Sequence, residues 1–245
     1  MNITNEMTVR EIALKNPETT RVFEEFKIDY CCGGRRPLAE ACSHAGANYE
    51  EVGRRLDELL DGSMPREDWI GDAGIPEIID HILEKHHVFT KKEISSLAPL
   101  VEKVVRVHGD AHPELHEVRS IFAELSTELM THMMREEEIL FPFVLAMVRS
   151  RENGLPMPLP PFGTVQNPVR MMMAEHDHAG EMLQRMSDLT GGYVVPPDAC
   201  PSFAGLMFRI EHLQRDLHEH IHLENNVLFP KAVEVEKAAM AMWSN

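Results

Sequence analysis

One polar pattern occurs twice in the chain, once around residue 132 and again around residue 220, and it constrains the fold more than any other feature. Each copy places an acid, a histidine, a glutamate and a Leu-Phe-Pro triplet at four-residue steps. The polar members are Glu128, His132 and Glu136 in the first copy, and Asp216, His220 and Glu224 in the second. A four-residue step turns an α-helix by about 400°, so each set lies on one helix face. The repeat predicts two long helices with matching polar faces.

This combination of residue types favours a metal site. Imidazole and carboxylate ligands suit iron, manganese and zinc. The acid one turn before each histidine, Glu128 or Asp216, is expected to hold the second imidazole nitrogen, as carboxylates next to metal ligands do. A single His-Glu pair at this spacing is more often an ordinary side-chain pair on a helix surface. Two copies with the same flanking residues favour the metal interpretation.

The composition limits the classes of protein to consider. The chain has 245 residues and a formal net charge of −16, which argues against nucleic acid and against an anionic membrane surface as partners. The first residues resemble no secretory signal, and no stretch approaches the roughly 20 apolar residues of a membrane span. Four cysteines do not form a disulfide framework. The expected location is the cytoplasm.

The first part of the chain, residues 1–62, is expected to form a small helical domain. Thr8 to Glu11 is a plausible capping box, and helices are expected near 18–26, 37–45 and 49–60. A few short helices can bury only a small apolar surface. We therefore expect this domain to pack against a partner. Glycines and prolines predict a linker over residues 61–75.

The second part, residues 75–245, reads as four long amphipathic helices near 75–108, 113–150, 168–190 and 200–240. Strand patterns are nearly absent, so the predicted fold class is all-α, with an antiparallel four-helix bundle in the C-terminal part. Pro142 and Pro230 fall inside two of these helices. A proline lacks the backbone N–H that an α-helix needs, so each is expected to kink or locally open its helix.

The remaining ligands are expected from the other two helices. His176 precedes His220 by nearly the same distance as His87 precedes His132, so each half of the bundle reads as a one-histidine helix followed by a His-x3-Glu helix. His86 rivals His87, since it lies only about 100° away on the helix. His218 and His222 lie about 200° from His220 and are expected to face elsewhere. Two such halves bring four histidines and two glutamates together, with both carboxylates able to bridge two metals.

These segments resemble a known family, the hemerythrin-like di-iron proteins called repair of iron centres. The resemblance covers nearly the whole chain: it rests on the segments from His132 to Pro142, from Glu175 to Gly180 and from Leu223 to Pro230, and on Asp29-Tyr30-Cys31-Cys32-Gly33-Gly34 near the N-terminus. It implies a hemerythrin-like bundle holding two non-haem iron ions, joined by an oxo bridge when oxidised. The ligands that it implies are His87, His132, Glu136, His176, His220 and Glu224, with His86 as the alternative to His87.

The resemblance also implies a function: the repair of iron–sulfur clusters damaged by nitric oxide or oxidants, in a cytoplasmic homodimer. Iron–sulfur proteins are then the partners, and nitric oxide or O2 the small ligands. A site without thiolate holds ferrous iron only moderately, which suits a donor of labile iron. The alternatives are an enzyme that reduces nitric oxide or O2 at the di-iron centre, and a gas-binding sensor. Structural zinc is disfavoured, because closed tetrahedral sites usually include cysteine.

Cys31 and Cys32 leave two interpretations open. Arg35, Arg36 and the start of a helix near Pro37 would lower a thiol pKa, which favours a reactive thiolate for redox relay, nitrosyl transfer or docking. Alternatively, Cys-Cys-Gly-Gly is a tight structural turn with a small buried side chain.

Overall fold

The computed structural model describes residues 3–4, 6–16, 18–62 and 73–243, and all regular secondary structure in these ranges is helical. The predicted all-α class is therefore confirmed. Most of the predicted linker lies outside the described residues, and the domain boundaries at 62 and 75 stay a prediction. None of the described helices combines the length and the apolar character that crossing a bilayer requires.

The N-terminal unit contains four short helices: α1 (Val9–Lys15), α2 (Thr19–Glu25), α3 (Leu38–Ala45) and α4 (Tyr49–Gly62). The predicted capping box starts α1, because the Thr8 hydroxyl accepts the Glu11 N–H at 3.1 Å and the Glu11 carboxylate accepts the Thr8 N–H at 2.8 Å. Apolar side chains from all four helices, Phe23 among them, form a hydrophobic cluster inside this unit together with Tyr30 from the connection between α2 and α3.

Four long helices form the bundle. Three of them contain a short stretch of π-helix: α5 (Ile75–His81, π segment Ile82–His87, Val88–His108), α6 (Glu114–Arg135, π segment Glu136–Leu140, Phe141–Glu152) and α8 (Pro201–Leu223, π segment Glu224–Leu228, Phe229–Trp243), whereas α7 (Gln166–Leu189) is α-helical throughout. Helix α5 packs against α6 and α8, and α7 packs against α6. The predicted four-helix bundle is confirmed.

The π segments lie where two prolines were expected to open their helices. Each begins at the glutamate of the repeated pattern, Glu136 or Glu224, and ends two residues before Pro142 or Pro230. Because a proline cannot donate to the carbonyl four residues earlier, the wider turn accommodates the missing bond. The π segment of α5 ends at His87 and contains no proline, and nothing in the sequence pattern indicated it.

The bundle interior contains two separate hydrophobic clusters. One includes Val101, Phe122 and Leu213 and fills the end of the bundle where α5 finishes. The other includes Ile79, Phe229 and further residues from the end where α5 starts. Between the two clusters lies a layer of buried polar side chains that all four helices contribute.

The N-terminal unit packs on α8 close to this polar layer. The Nδ1 atom of His222 lies 3.2 Å from the Tyr30 carbonyl oxygen, and Asn226 Nδ2 donates to the Cys31 carbonyl at 3.0 Å. His218 Nδ1 lies 2.8 Å from a carboxylate oxygen of Glu24. The partner against which the N-terminal unit packs is thus the bundle itself. It occupies the face of α8 to which the sequence assigned His218 and His222.

Candidate metal centre

The six residues expected as ligands all lie in the polar layer, and all are buried. They form two overlapping groups whose nitrogen and oxygen atoms lie within 4.8 Å of one another. One group is His87, His220, Glu136 and Glu224, and the other is His132, His176 and the same two glutamates. Each group therefore offers four atoms to one ion, and both glutamates belong to both groups.

The four imidazoles meet in pairs through their Nε2 atoms. The Nε2 atoms of His87 and His220 are 3.2 Å apart, and those of His132 and His176 are 3.0 Å apart. Each pair joins a one-histidine helix to a His-x3-Glu helix of the other half of the bundle. The pairing therefore has the pseudo-twofold relationship that the repeated spacing predicted.

Each carboxylate divides its two oxygens between the groups. Glu136 places Oε2 3.4 Å from His87 Nε2 and Oε1 3.3 Å from His132 Nε2. Glu224 places Oε1 3.0 Å from His220 Nε2 and Oε2 3.1 Å from the Nε2 atom of the fourth histidine. A carboxylate in this orientation can bind one ion through each oxygen, which is the arrangement that two neighbouring cations require.

The donor set fits a pair of cations. Both oxygens of Glu136 and Oε2 of Glu224 are buried and accept no hydrogen bond from the described residues. Burying a carboxylate without compensating partners is costly, so buried charges are usually paired or bound to metals. Since the neighbouring imidazole nitrogens point to the same places, two cations would satisfy all of these atoms at once.

The charges in this layer interact strongly. Burial opposes the charged form of His132, but Glu136 and the hydrogen-bonded Glu175 outweigh it and raise the pKa of His132 to about 10. Burial alone would raise the pKa of Glu224, yet the imidazoles of His220 and His176 hold it well below its usual value. Glu136 and Glu175 thus favour the protonated form of His132. A metal that binds His132 must displace this proton, so its affinity should rise with pH.

Two histidines are oriented by the residue that follows a bridging glutamate. Glu137 accepts from Nδ1 of His87 at 2.7 Å and is itself bound by Lys91. In the other half, Oδ1 of Asn225 lies 2.9 Å from Nδ1 of His176. The spacing did not predict either partner. Both residues lie in π segments, and each contacts a histidine on a neighbouring helix. Their place directly after Glu136 and Glu224 was the only signal in the sequence.

The expectation for the acids one turn before each histidine was wrong. His132 Nδ1 lies 2.7 Å from Glu175, the residue before His176, and Arg135 also binds Glu175. Glu128 is exposed, 3.7 Å from His178. Asp216 contacts His86 rather than His220. The outer partners come from the neighbouring helix because the repeated face points inward, and one helix turn does not bring the earlier acid to Nδ1.

His86 and His87 have separate environments, which distinguishes the two candidates. His87 belongs to the first group of four atoms, and His86 belongs to neither group. His86 stacks on His220, with ring centroids 5.5 Å apart, and its Nδ1 lies 3.1 Å from Asp216. Burial lowers the pKa of His86 to about 2, so its ring stays neutral. The geometry thus supports His87 as the candidate ligand.

The expectation of a lowered thiol pKa was wrong for Cys31. Its hydrogen bond with Cys32 and its burial raise the pKa of Cys31 well above the ordinary value. The Cys31 side chain is buried, and burial disfavours the charged thiolate. All four cysteines are free thiols, among them Cys42, which is buried in the core of the N-terminal unit.

Comparison with known proteins agrees with this architecture. A family model described as the hemerythrin HHE cation binding domain matches residues 78–232, and the model of ScdA_N, a domain of unknown function (DUF542), matches residues 5–60. The bundle is therefore a hemerythrin-type cation-binding domain.

Whole-length relatives define the family more narrowly. The iron-sulfur cluster repair protein YtfE of Escherichia coli O17:K52:H18 is 35% identical over 226 residues, which cover 92% of this chain and 96% of that protein. The YtfE proteins of Citrobacter koseri and Shigella boydii serotype 4 are 34% identical over the same shares. The chain belongs to this family, the repair of iron centres family.

Proposed function

We propose that the chain holds two iron ions in its polar layer and gives up iron for the repair of damaged iron–sulfur clusters. The observation that carries this proposal is the pair of four-atom groups that share both Glu136 and Glu224. The relatives named as iron-sulfur cluster repair proteins support the same role. The proposed ligands are His87, His132, Glu136, His176, His220 and Glu224.

The ligand chemistry suits a protein that releases its cargo. When bound, the ions supply ferrous iron that can pass to a cluster lacking it. The imidazoles are neutral and the carboxylates are hard oxygen donors, and no thiolate is present to hold the iron more tightly. Four protein atoms for each ion leave coordination positions at which a ligand from the acceptor can enter. The shared carboxylates offset the charge of the two ions while they are stored.

The two proposed ion positions differ in the hydrogen bonds that hold their histidines. At one position, Glu175 holds His132 and Asn225 holds His176. At the other, Glu137 holds His87, but the buried Nδ1 of His220 accepts or donates no hydrogen bond among the described residues. Outer hydrogen bonds fix a ligand and raise its basicity. The ion between His87 and His220 is therefore the labile one.

Several finer features belong to the proposal as predictions. They are damage by nitric oxide or oxidants as the signal for repair, two irons per chain with an oxo bridge when oxidised, the cytoplasmic location, and the homodimer. Iron–sulfur proteins are the predicted partners.

Iron transfer tests the proposal directly. The protein is purified without O2, its iron is counted, and it is mixed with an iron-depleted iron–sulfur protein and a ferrous chelator too weak to remove iron by itself. The expected result is recovery of the acceptor's cluster absorption as this protein loses iron. Glu136→Gln and Glu224→Gln should abolish the recovery, whereas Glu128→Gln, the exposed acid of the same repeat, should leave it unchanged.

Two results would contradict iron donation. One is equal recovery with the Glu136→Gln and Glu224→Gln variants. The other is steady consumption of nitric oxide or O2 with a reductant while the iron content stays constant, which would favour the reductase alternative.

A further inference from the structure

The segment that precedes α3 contains a second group of atoms that could bind a metal. Unlike the polar layer of the bundle, this group includes sulfur. Asp29, Cys31 and Cys32 bring one carboxylate oxygen and two sulfur atoms within 4.8 Å of one another. Cys31 Sγ lies 3.4 Å from Asp29 Oδ1 and 3.8 Å from Cys32 Sγ. Adjacent residues in extended chain point to opposite sides, so the turn is what makes the two thiols face one point.

Backbone hydrogen bonds hold the carboxylate in place. Asp29 Oδ1 accepts the N–H groups of Cys31 and Cys32 at 3.1 and 2.9 Å, and Oδ2 accepts the N–H of Gly33 at 2.8 Å. The carboxylate therefore keeps its orientation toward the sulfur atoms, and its negative charge stays beside them. Arg36 also lies beside this turn: a Cβ added at Gly33 would meet its Nη1 at 2.6 Å and Asp29 Oδ2 at 2.9 Å, while its Nε lies 4.0 Å from Glu40.

Docking on the bundle fixes the same turn from the other side. Asn226 donates to the Cys31 carbonyl at 3.0 Å. A Cβ added at Gly34 would lie 2.5 Å from the Tyr30 carbonyl oxygen and 3.4 Å from Asn226 Nδ2, so only glycine allows this close approach. The turn is thus ordered before any ligand binds, which reduces the entropy that binding must overcome.

The distances match those of atoms bound to one tetrahedral ion. Two sulfurs at about 2.3 Å from such an ion lie about 3.8 Å apart, and a sulfur and an oxygen lie about 3.6 Å apart. The observed separations are 3.8 Å and 3.4 Å. A disulfide requires sulfurs about 2.05 Å apart, so the two thiols are not bonded to each other and both remain free to bind an ion.

We infer that Asp29, Cys31 and Cys32 form a second metal site for a thiophilic divalent cation, with the fourth tetrahedral position open. As each sulfur–metal bond forms, the thiol releases its proton to solvent, and no electron is transferred. Asp29 is exposed and Cys32 half-buried, so an ion reaches the site from that side. The open position admits a ligand of an acceptor protein. A role in passing ferrous iron to that acceptor rests on the proposed function, whereas metal binding does not.

Cobalt provides a probe that separates this site from the bundle. Thiolate bound to Co²⁺ gives intense near-ultraviolet charge-transfer absorption, and imidazole or carboxylate ligands do not. Titration of the reduced full-length protein with Co²⁺, without O2, should give this absorption, and its final intensity should correspond to one thiolate-bound ion per chain, whatever number of ions the bundle also binds. Cys32→Ser should abolish it and Asp29→Asn should weaken the binding, while Cys42→Ser and Cys200→Ser should leave it unchanged. Circular dichroism checks that each variant is folded.

Absence of the absorption in the native chain, or its persistence in the Cys32→Ser variant, would overturn the second site. The Glu136→Gln variant distinguishes this inference from the proposed function: the cobalt–thiolate absorption should remain although iron in the bundle is lost. If Cys32→Ser loses the absorption but transfers iron at the native rate, the site binds metal but the hand-over role is wrong.

Discussion

His132 and His220 occupy the same position in the two copies of the repeat, yet only His132 has a carboxylate on its Nδ1 atom. Glu175 lies 2.7 Å from that atom, whereas the Nδ1 atom of His220 is buried without a partner among the described residues. The residue that precedes His176 is Glu175, and the residue that precedes His87 is His86. Glutamate in one half and histidine in the other thus give the two proposed metal positions different outer contacts.

This asymmetry predicts two-step loss of metal. With a chelator in excess, the native protein should release one ion fast and the other slowly. Glu175→Gln should speed the slow step, because losing an outer carboxylate typically weakens metal binding about 10–100-fold. The measurement is the time course of chelator absorption. Glu128→Gln is the matched control and should keep both rates, and a single shared rate in the native protein would contradict the prediction.

Glu136 and Glu224 each belong to both groups of candidate ligands, so each glutamate should be needed for the binding of both ions. Glu136→Gln should reduce the metal content at both positions, because each of its oxygens faces a different histidine pair. A ligand at about 100 times its dissociation constant stabilises the fold by about 2.7 kcal/mol. For a chain of this size, that raises Tm by roughly 5–10 °C. Thermal unfolding with and without ferrous iron should show the increase in the native protein and little of it in the variant.

Gly34 predicts how tightly the turn from Tyr30 to Gly34 must close. Gly34→Ala places a Cβ 2.5 Å from the Tyr30 carbonyl oxygen in the same turn, so the backbone of the turn must open. Overpacking of this kind typically costs about 1–3 kcal/mol, which urea unfolding can measure. Gly53→Ala is the control in the same unit. Nothing lies within 4 Å of its added Cβ, and alanine should stabilise α4 by about 0.5–1 kcal/mol. Equal effects of the two substitutions would contradict the close approach inside the turn.

Cys200 predicts a pH-dependent thiol at the far end of the bundle. It precedes the first residue of α8, and His108 Nε2 lies 3.2 Å from its Sγ. The hydrogen bond to His108 lowers the pKa of Cys200 to about 7. Because the thiolate is the nucleophile, the rate of alkylation should rise with pH through a midpoint near 7.

Mass spectrometry after limited iodoacetamide treatment measures this rate for each cysteine. His108→Gln should move the midpoint of Cys200 toward the ordinary cysteine value of about 8.5. Cys42 is buried and is the internal control, with little labelling at any of these pH values. A midpoint unaffected by the His108 substitution would show that the histidine does not control the thiol.

Four-residue spacing fixes which side chains share a helix face, so it predicted four of the six grouped residues: His132, Glu136, His220 and Glu224. His87 and His176 came from the matching offsets of the two halves and from the family resemblance, with His86 left open beside His87. The same spacing carries no information about a partner on a different helix. Glu128 was therefore a wrong choice, and Glu175, which reaches His132 from α7, was missed as its partner. The raised pKa of Cys31 was missed for a similar reason, since it depends on the hydrogen bond with Cys32 and on burial, which only the folded turn provides.

The polar layer separates the two hydrophobic clusters of the bundle interior from each other. Ions bound in this layer would hold the two ends of the bundle together, since the two shared glutamates lie at the boundary between the clusters. The metal-free chain should therefore melt less cooperatively than the loaded chain, with one end loosening before the other.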